Sequence, residues 1–281
     1  MRMGTICMSQ ISGPLPTWHY KSLQQGDTVR DPIQGEYFAT EAIENSADAL
    51  VREGIQNSLD ARRTTSATPW GKEVLRVRIR ISGSSQAIPT QLAAPFLAGN
   101  WEHLHVPGNG LSIPPKEDQP CPFLTFEDFG TSGLNGDPSQ WKKVPGCENR
   151  FFNFFRAEGH SDKSETDRGR WGVGKTVFPR ASRISSFWAL TRRELDGARL
   201  LMGRTILKSH DLANGTTCVP DGYLESKSMT ALSSFPSPTK RRSLSSAKPS
   251  GCCVVTSRGS RSWSHSTTKM RSRPKPSSML S

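Results

Sequence analysis

The sequence predicts an α/β fold in which one amphipathic helix packs on a β-sheet, and two sets of observations support this prediction. Residues 49–63 carry apolar side chains at helical spacing, with Val51, Ile55 and Leu59 on a stripe suited to packing against a sheet. Several short segments elsewhere have the alternating or continuous apolar character of strands. The length of 281 residues allows one large domain or two small ones.

The first part of the chain is predicted to supply an arm, the central helix and one strand. Residues 1–35 show little periodicity and are interpreted as an N-terminal arm, and residues 36–47 as a short helix that leads into the central one. Residues 74–81 alternate apolar side chains with arginine, which is typical of a half-buried strand. Residues 83–122 are rich in proline and glycine, so they are interpreted as a surface loop insertion outside the core.

The remaining strands are predicted further along the chain. Residues 123–126 (FLTF) have the continuous apolar character of a buried strand. Residues 185–191 and 200–207 are predicted to form two more strands that follow one another across a short turn. Residues 211–223 are interpreted as a loop, because they contain turn signals such as Asp221-Gly222.

The positive charge of the chain is concentrated near its C-terminus. The chain carries 37 Lys and Arg against 25 Asp and Glu, a net charge of +12. Residues 226–281 contain 11 of the basic residues and no acid, so residues 1–225 are nearly neutral, which argues against a general nucleic-acid-binding protein. The serine-rich tail is interpreted either as a disordered basic segment that binds nucleic acid or another polyanion, or as sequence translated out of frame in place of a C-terminal domain.

Cysteine usage and hydropathy predict a cytoplasmic protein. The six cysteines show no CxxC pair or other metal-ligand spacing, so reduced thiols are expected. The sequence shows no signal-peptide core and no apolar run long enough to span a bilayer, which predicts that no membrane is a partner. His103 and His105 have no third ligand candidate nearby in the sequence, so metal binding is not expected there.

The central helix also presents a polar face. Glu53, Asn57 and Asp60 recur at i, i+4 and i+7, which places them on one side of a helix. Such a face offers an acid, an amide and a second acid to a ligand. A solvated polar surface is the alternative interpretation, and two glycine motifs further along the chain favour the ligand site.

The first glycine motif follows the predicted strand at residues 123–126. The chain here reads EDFGTSGL, with Asp128 at the strand end and Gly130 and Gly133 three positions apart. This arrangement holds a carboxylate beside a tight turn, and glycines allow the main chain to approach a flat or charged ligand closely. An ordinary turn is the alternative interpretation.

The second glycine motif occupies residues 169–176, which read GRWGVGKT. The segment satisfies the G-x-x-x-x-G-K-[ST] pattern of P-loop nucleotide-binding proteins. A P-loop follows a buried strand, however, and the polar residues 160–168 are unsuited to form one. The same segment also satisfies G-x-x-G-x-G, and this alternative fits the rest of the chain.

The motifs occur in the order E-x-x-x-N-x-x-D-A, D-x-G-x-x-G, a polar segment, and G-x-x-G-x-G-K. Because of these motifs, residues 36–207 resemble the GHKL ATPases. This group includes DNA gyrase B subunits, ninety-kilodalton heat-shock chaperones, sensor histidine kinases and MutL proteins. The resemblance implies a Bergerat-type α+β two-layer sandwich, with a mixed, mainly antiparallel sheet and helices on one face. It assigns residues 36–225 to one ATP-binding domain.

The resemblance also implies ATP and Mg²⁺ as cofactors and gives roles to the polar residues. Glu53 matches the general base that polarises the attacking water. Asn57 matches the asparagine whose amide oxygen ligates magnesium. Asp60 matches the acid at the helix end near the nucleotide, and Asp128 matches the aspartate that accepts a hydrogen bond from the adenine amino group.

Glycines are expected on both sides of the nucleotide. Gly130 and Gly133 would let the backbone pass close to the adenine. The phosphates would be bound by backbone N–H groups at a helix start and by a lysine: Gly169, Gly172, Gly174 and Lys175. Residues 156–175 would form a flexible lid over the nucleotide. These hydrolases also carry a phosphate-contacting threonine on a late strand, and Thr205 and Thr216 are both candidates.

The predicted function is Mg²⁺-dependent ATP binding with slow hydrolysis, coupled to lid closure and homodimerisation. The segments REGIQNSLDA and GRWGVGK resemble their counterparts in the hydrolase branches of the group. One alternative is a nucleotide-sensing module without turnover. Another is a histidine-kinase-like protein, with His19 and His160 as phospho-acceptor candidates, although neither lies on a convincing helix. By family analogy, DNA or DNA-processing proteins, including those of defence gene clusters, are the candidate partners.

Overall fold

The computed structural model describes residues 17–29, 31–32, 46–157, 176–225 and 252–257. The helices in these residues are α1 (Ser46–Asp60), α2 (Thr90–Leu97), α3 (Trp101–His105), α4 (Arg150–Phe155) and α5 (Val177–Arg180). The strands are β1 (Thr17–Ser22), β2 (Arg76–Ile81), β3 (Phe123–Phe129), β4 (Ser186–Arg192), β5 (Arg199–Ile206), β6 (His210–Asp211), β7 (Thr217–Glu225) and β8 (Cys252–Ser257). No helix in the described residues is long and apolar enough to cross a bilayer. The helix predicted at residues 36–47 lies outside the described residues, apart from two positions that belong to α1.

The described strands form one sheet in the order β1-β7-β5-β4-β8-β3-β2, with the short β6 paired to β7. Their pairings are all antiparallel. Helices and an antiparallel sheet confirm the mixed α/β class, whereas the expected parallel component is not found among the described strands. The apolar segments at residues 123–126, 185–191 and 200–207 correctly predicted β3, β4 and β5. The structure extends β3 to Phe129.

One face of the sheet is covered by α1, α4 and α5. Their apolar side chains form a single buried cluster with those of β3, β4 and β5. Aromatic rings are prominent in it: Phe155 stacks on Phe187 with centroids 6.2 Å apart, and Phe178 lies edge-on to Phe126 at 6.1 Å. Such pairs add to the free energy of area burial, and they hold α4 and α5 against the centre of the sheet.

The opposite face of the sheet packs against α2 and α3, contrary to the expectation of helices on one face only. Trp18 of β1 points to this side, and its indole N–H donates to the Phe96 carbonyl oxygen at 2.7 Å. Leu97 and Leu104 belong to a second buried cluster on this side. Interpreting residues 83–122 as a loop insertion outside the core is therefore wrong, because this segment supplies two helices with buried apolar side chains.

The buried side of α1 differs from the predicted apolar stripe. Val51 and Leu59 are each 40% exposed, whereas Gly54 and Ser58 are buried. The helix is turned by about 100°, the rotation of one residue, from the predicted orientation. Close approach explains the difference, because a Cβ at Gly54 would lie only 2.7 Å from the Phe126 ring. The helix axis thus lies nearer to the sheet than a larger side chain would allow.

Strands also occupy part of the predicted arm and most of the predicted loop. β1 lies within residues 1–35 and pairs with β7. β6 and β7 occupy most of residues 211–223. Asp221-Gly222 lies inside β7 rather than in a turn, and the missing side chain of Gly222 leaves room for the Tyr20 ring.

The serine-rich tail contributes a strand to the middle of the sheet. Cys252–Ser257 forms β8, which lies between β3 and β4 and pairs with both. Disorder is therefore the wrong description for these six residues. The rest of residues 226–281 lies outside the described part of the chain.

We expect Val254→Pro to destabilise the protein, because Val254 is paired with Phe126 on one side and with Ala189 on the other. Proline removes the backbone N–H and is not accommodated in a central strand. Loss of one buried ladder hydrogen bond should cost about 1–3 kcal/mol. The measurement is the midpoint of urea unfolding of the full chain, followed by circular dichroism.

Val254→Thr is the matched control, since it keeps a β-branched residue and the backbone N–H. The threonine variant should unfold close to the wild-type midpoint. If the proline variant did so too, Val254 would not belong to the sheet.

Candidate functional site

Asp128 lies at the end of β3, beside the C-terminal half of α1. The residue is only 8% exposed. Ser58 Oγ is 3.1 Å from Asp128 Oδ2 and 2.9 Å from the Gly54 carbonyl oxygen. Its single hydroxyl hydrogen is therefore shared between these two acceptors. Thr131 Oγ1 donates to Asp128 Oδ1 at 2.9 Å. Hydroxyl groups from the helix and from the glycine turn therefore fix the orientation of a buried carboxylate.

Asn57 is the neighbour of Ser58 on α1 and has unused hydrogen-bonding capacity. Its side-chain Nδ2 is buried and has no partner among the described residues. An unsatisfied buried polar group costs about 1–3 kcal/mol, so native structures rarely leave one without a ligand or a water molecule. The amide nitrogen and oxygen exchange places on a half-turn of the group, so this position can present either a donor or an acceptor.

The two acids of the polar helix face have different surroundings. Glu53 lies one turn before Asn57, and its side chain is 22% exposed, with Oε1 3.7 Å from Arg52 Nε. Asp60 is exposed and accepts a hydrogen bond from Gln56 Nε2 at 2.8 Å. The helix therefore brings Glu53 and Asn57 together in a half-buried zone, while Asp60 lies at its exposed end.

The glycines of the turn after β3 are required by packing within the chain. Gly130 and Gly133 have φ values of +87° and +70°, in the left-handed region that favours glycine. A Cβ at Gly130 would overlap the Val74 carbonyl oxygen, and one at Gly133 would overlap the Arg192 carbonyl oxygen. The turn is thus held between the residues before β2 and the end of β4. It carries Thr131, and so it positions one of the two donors to Asp128.

A third hydroxyl lies near this turn. Thr191 of β4 is buried, and its Oγ1 accepts the backbone N–H of Leu134 at 2.9 Å. Strand alternation places Thr191 on the same face of the sheet as Ala189, which belongs to the cluster under α1. Only β8 separates its strand from that of Asp128.

The two threonines considered from the sequence lie elsewhere. Thr205 pairs with Ser186 at the other end of β4, and its side chain points to the opposite face, where its Oγ1 accepts a hydrogen bond from Ser186 Oγ at 2.7 Å. Thr216 lies in the turn before β7, and its N–H donates to Asn214 Oδ1 at 3.0 Å. Neither side chain lies at the Asp128 end of the sheet.

The residues expected to bind phosphate lie outside the described residues. These are Gly169, Gly172, Gly174 and Lys175. The same holds for the predicted lid except for its first two positions. The described residues that flank this segment are buried, Ala157 at 3% and Thr176 at 2% exposure. Because α4 and α5 belong to the core cluster that contains α1, both ends of the segment are anchored near α1.

An arginine-lined cleft of about 340 Å³ opens beside the residues that follow α1. Arg62, Arg63 and Arg150 contribute to its lining, together with Glu148 and Glu194. None of the predicted site residues that the structure describes is part of this lining. The cleft is therefore a separate feature from the Asp128 site.

Sequence reasoning missed the hydroxyl groups of the candidate site, namely Ser58, Thr131 and Thr191. A signal exists for Ser58, because it lies four residues after Gly54 in the helix interior. Two small residues at this spacing predict a close helix contact, which the search for large apolar side chains overlooks. The other two hydroxyls become recognisable only when the turn and β4 are placed side by side.

Comparison of the chain with models of protein families, with curated proteins and with solved structures finds no match. The geometry of the described residues and the sequence motifs are therefore the basis for a proposed function.

We expect Gly133→Ala to destabilise the protein more than Gly146→Ala. Both glycines have nearly the same left-handed φ, +70° and +73°, so alanine at either position costs about 1–2 kcal/mol for the backbone conformation. Only Gly133 also abuts a neighbouring carbonyl oxygen, whereas Gly146 has open space around it. Overpacking should add about 1–3 kcal/mol at Gly133.

The measurement is the free energy of unfolding of both variants in urea. Equal destabilisation would contradict the close contact between the turn and the end of β4.

Proposed function

We propose that this protein binds Mg-ATP beside the C-terminal half of α1 and hydrolyses it slowly. The observation that carries the proposal is the Asp128 carboxylate, buried at the end of β3 and oriented by the hydroxyls of Ser58 and Thr131. Next to Ser58 on the helix is Asn57, whose amide Nδ2 is buried and has no partner among the described residues. A few convergent polar groups at the edge of an apolar core are typical of small-molecule sites.

The carboxylate supports a preference for adenine over guanine. An ionised aspartate only accepts hydrogen bonds. Adenine has an amino group at the ring position where guanine has a carbonyl oxygen. Guanine would therefore bring one acceptor against another in a desolvated place, which costs binding free energy.

Asn57 is the residue that would hold the magnesium ion. Hard divalent cations favour oxygen ligands, including side-chain amide oxygens. The residue fits this role because a half-turn of the amide puts its oxygen in place of the unpartnered nitrogen. When bound, the ion offsets the negative charge of the phosphates, and Gly169, Gly172, Gly174 and Lys175 are the proposed phosphate donors.

Glu53 is proposed as the general base for hydrolysis. It lies one helical turn before Asn57, and its partly buried carboxylate suits a proton acceptor for a water molecule beside the phosphates. The second candidate function is nucleotide sensing without turnover, in which ATP orders the lid at residues 156–175. The ion pair between Glu53 and Arg52 favours this candidate if it persists with nucleotide bound, because it would occupy the carboxylate.

The proposed partners follow from the resemblance rather than from contacts. Lid closure and homodimerisation are the steps that ATP binding would drive, and DNA or DNA-processing proteins are the partners that family analogy suggests. The kinase alternative is disfavoured, because His19 lies in β1 and not on a dimerising helix. His160 lies outside the described residues.

The test of binding is isothermal calorimetry of the full chain with ATP and Mg²⁺, and with GTP as the competing nucleotide. Asp128→Asn should weaken ATP binding by about tenfold or more, since a hydrogen bond to a charged group contributes about 1.5–3 kcal/mol. Asp137→Asn is the control, because Asp137 is exposed and also accepts a hydrogen bond from a hydroxyl, that of Ser139.

Unchanged ATP affinity in a folded Asp128→Asn variant would refute the adenine assignment. Equal binding of ATP and GTP by the wild type would refute it as well.

The test of turnover is phosphate release under saturating Mg-ATP. Glu53→Ala should keep ATP binding and reduce hydrolysis by about 10²–10⁴-fold, the usual contribution of a positioned base. Glu117→Ala, at an exposed position, should leave the rate unchanged. Wild-type hydrolysis in Glu53→Ala would remove Glu53 as the base, and ATP binding without any wild-type hydrolysis would favour the sensing function.

A further inference from the structure

Three residues with metal-ligating side chains meet on the second face of the sheet. His103 comes from α3, His210 from β6 and Cys218 from β7, and each residue is at most 5% exposed. One ligand atom from each lies within 4.8 Å of the other two. His210 and Cys218 are direct partners in the β6–β7 pair, and α3 brings His103 over them.

Hydrogen bonds define the protonation of the two imidazoles. His210 Nδ1 lies 2.8 Å from the Lys208 carbonyl oxygen, which can only accept, so Nδ1 carries the proton and Nε2 has a lone pair. That Nε2 is 2.8 Å from Nδ1 of His103, so His103 donates there. The remaining nitrogen of His103, Nε2, then has a lone pair 3.7 Å from Glu102 Oε1. Without a cation, this arrangement leaves two acceptors facing each other.

The backbone around the imidazoles is fixed in advance. Asn109 Nδ2 donates to the His103 carbonyl oxygen at 2.9 Å, and the Asn109 carbonyl oxygen accepts the Lys208 N–H at 2.8 Å. Lys208 in turn accepts the His210 ring N–H. Metal-binding histidines commonly donate their second ring nitrogen to a carbonyl oxygen in this way, because the bond fixes the ring orientation.

The surroundings are suited to a cation. Burial raises the pKa of the Cys218 thiol, and the negative charges of Glu102 and Asp211 raise it further. Burial and the neighbouring His210 lower the pKa of His103 to about 4. The His103 imidazole and the Cys218 thiol are thus neutral at pH 7 without a metal, with two carboxylates nearby. A divalent ion with one thiolate has a net charge of +1, which these carboxylates offset.

We propose that His103 Nδ1, His210 Nε2 and Cys218 Sγ bind one zinc ion, with a water molecule as the fourth ligand. Two nitrogen ligands and one thiolate match the preference of zinc. The ion replaces the proton that now lies between the two imidazoles. Binding releases the thiol proton of Cys218 to solvent and shifts the His103 proton from Nδ1 to Nε2, towards Glu102. No oxidant or reductant is involved.

The distances require only small adjustments. Tetrahedral zinc with Zn–N of about 2.0–2.1 Å and Zn–S of about 2.3 Å separates its ligand atoms by about 3.3–3.6 Å. The two nitrogens, now 2.8 Å apart, would move apart slightly, and the sulfur, which lies within 4.8 Å of one ring nitrogen of each histidine, would approach.

Zinc at this place would fasten α3 to the β6–β7 pair. The Tyr20 ring of β1 already stacks on His103 with centroids 3.6 Å apart and lies edge-on to His210 at 5.7 Å. The site is independent of the proposed nucleotide site, since Cys218 and Asp128 lie on opposite faces and towards opposite ends of the sheet.

The experiment uses the full chain, reduced and freed of metal with a chelator, and titrates it with Co²⁺ as a spectroscopic substitute for Zn²⁺. We expect one equivalent to bind, with the visible absorption of tetrahedral cobalt and a thiolate-to-cobalt charge-transfer band. Equimolar Zn²⁺ should displace the cobalt. Zn²⁺, but not Mg²⁺, should also raise the midpoint of thermal unfolding of the wild type, because a ligand that binds only the folded state stabilises it.

Two sets of variants identify the ligands. Cys218→Ser should abolish the charge-transfer band and weaken Zn²⁺ binding at least tenfold, and His210→Gln should weaken it similarly. Cys147→Ser, at an exposed cysteine, and a Cys252→Ser/Cys253→Ser double variant should leave the spectrum unchanged.

Substoichiometric binding by the wild type would overturn the proposal. So would a charge-transfer band that persists in Cys218→Ser or disappears in the Cys147 or Cys252/Cys253 variants. The thermal shift of the wild type keeps the test decisive if Cys218→Ser does not fold, since no shift with Zn²⁺ would also overturn it.

Discussion

The contact between Gly54 of α1 and the Phe126 ring of β3 sets the distance between helix and sheet. One turn further along α1, this distance lets Ser58 reach Asp128 with a single hydrogen bond of 3.1 Å. A larger residue at position 54 would lift the helix and separate these two groups, and Asn57 would move with it. Apolar packing and the polar candidate site therefore depend on the same close approach.

The two faces of the sheet pack against two different hydrophobic cores. Along β4, Phe187 faces the cluster under α1, and Trp188 faces the cluster with α2 and α3. A strand covered on both faces carries apolar residues continuously instead of alternating them with polar ones. This explains why β4 and β5 were recognisable from their apolar runs. It also explains how one sheet can carry two unrelated clusters of polar side chains, because the side chains on its two faces do not contact each other.

Local patterns predicted much of the fold, whereas packing decided the rest. The strands β3, β4 and β5 and the turn that follows Asp128 depend on short-range sequence features. The orientation of α1 does not, because a stripe of large apolar residues suggests the wrong side when the closest contact is made by glycine and serine. The helices α2 and α3 were concealed by the many prolines and glycines around them.

The candidate site was likewise predictable only in part from local sequence patterns. Asp128, Asn57 and Glu53 were chosen from their spacing, and the structure brings Asp128 and α1 together through Ser58. The histidine–cysteine cluster was unpredictable, because His103 is far in sequence from both His210 and Cys218, and only the docking of α3 unites them. The histidine nearest to His103 in sequence is His105, whose ring nitrogens contact the carbonyl oxygens of Trp101 and Pro115 instead.

The position of β8 has a consequence for how the chain folds. Phe126 of β3 pairs with Val254, a residue separated from it by nearly half of the chain. Until β8 is synthesised, β3 and β4 each expose an unpaired edge, and such edges attract other strands. Pairings between residues distant in sequence also slow folding, because the entropy of loop closure is lost before the stabilising contacts form. The nascent protein should therefore depend on chaperones until β8 has left the ribosome, and then join the two halves of this sheet in one late step.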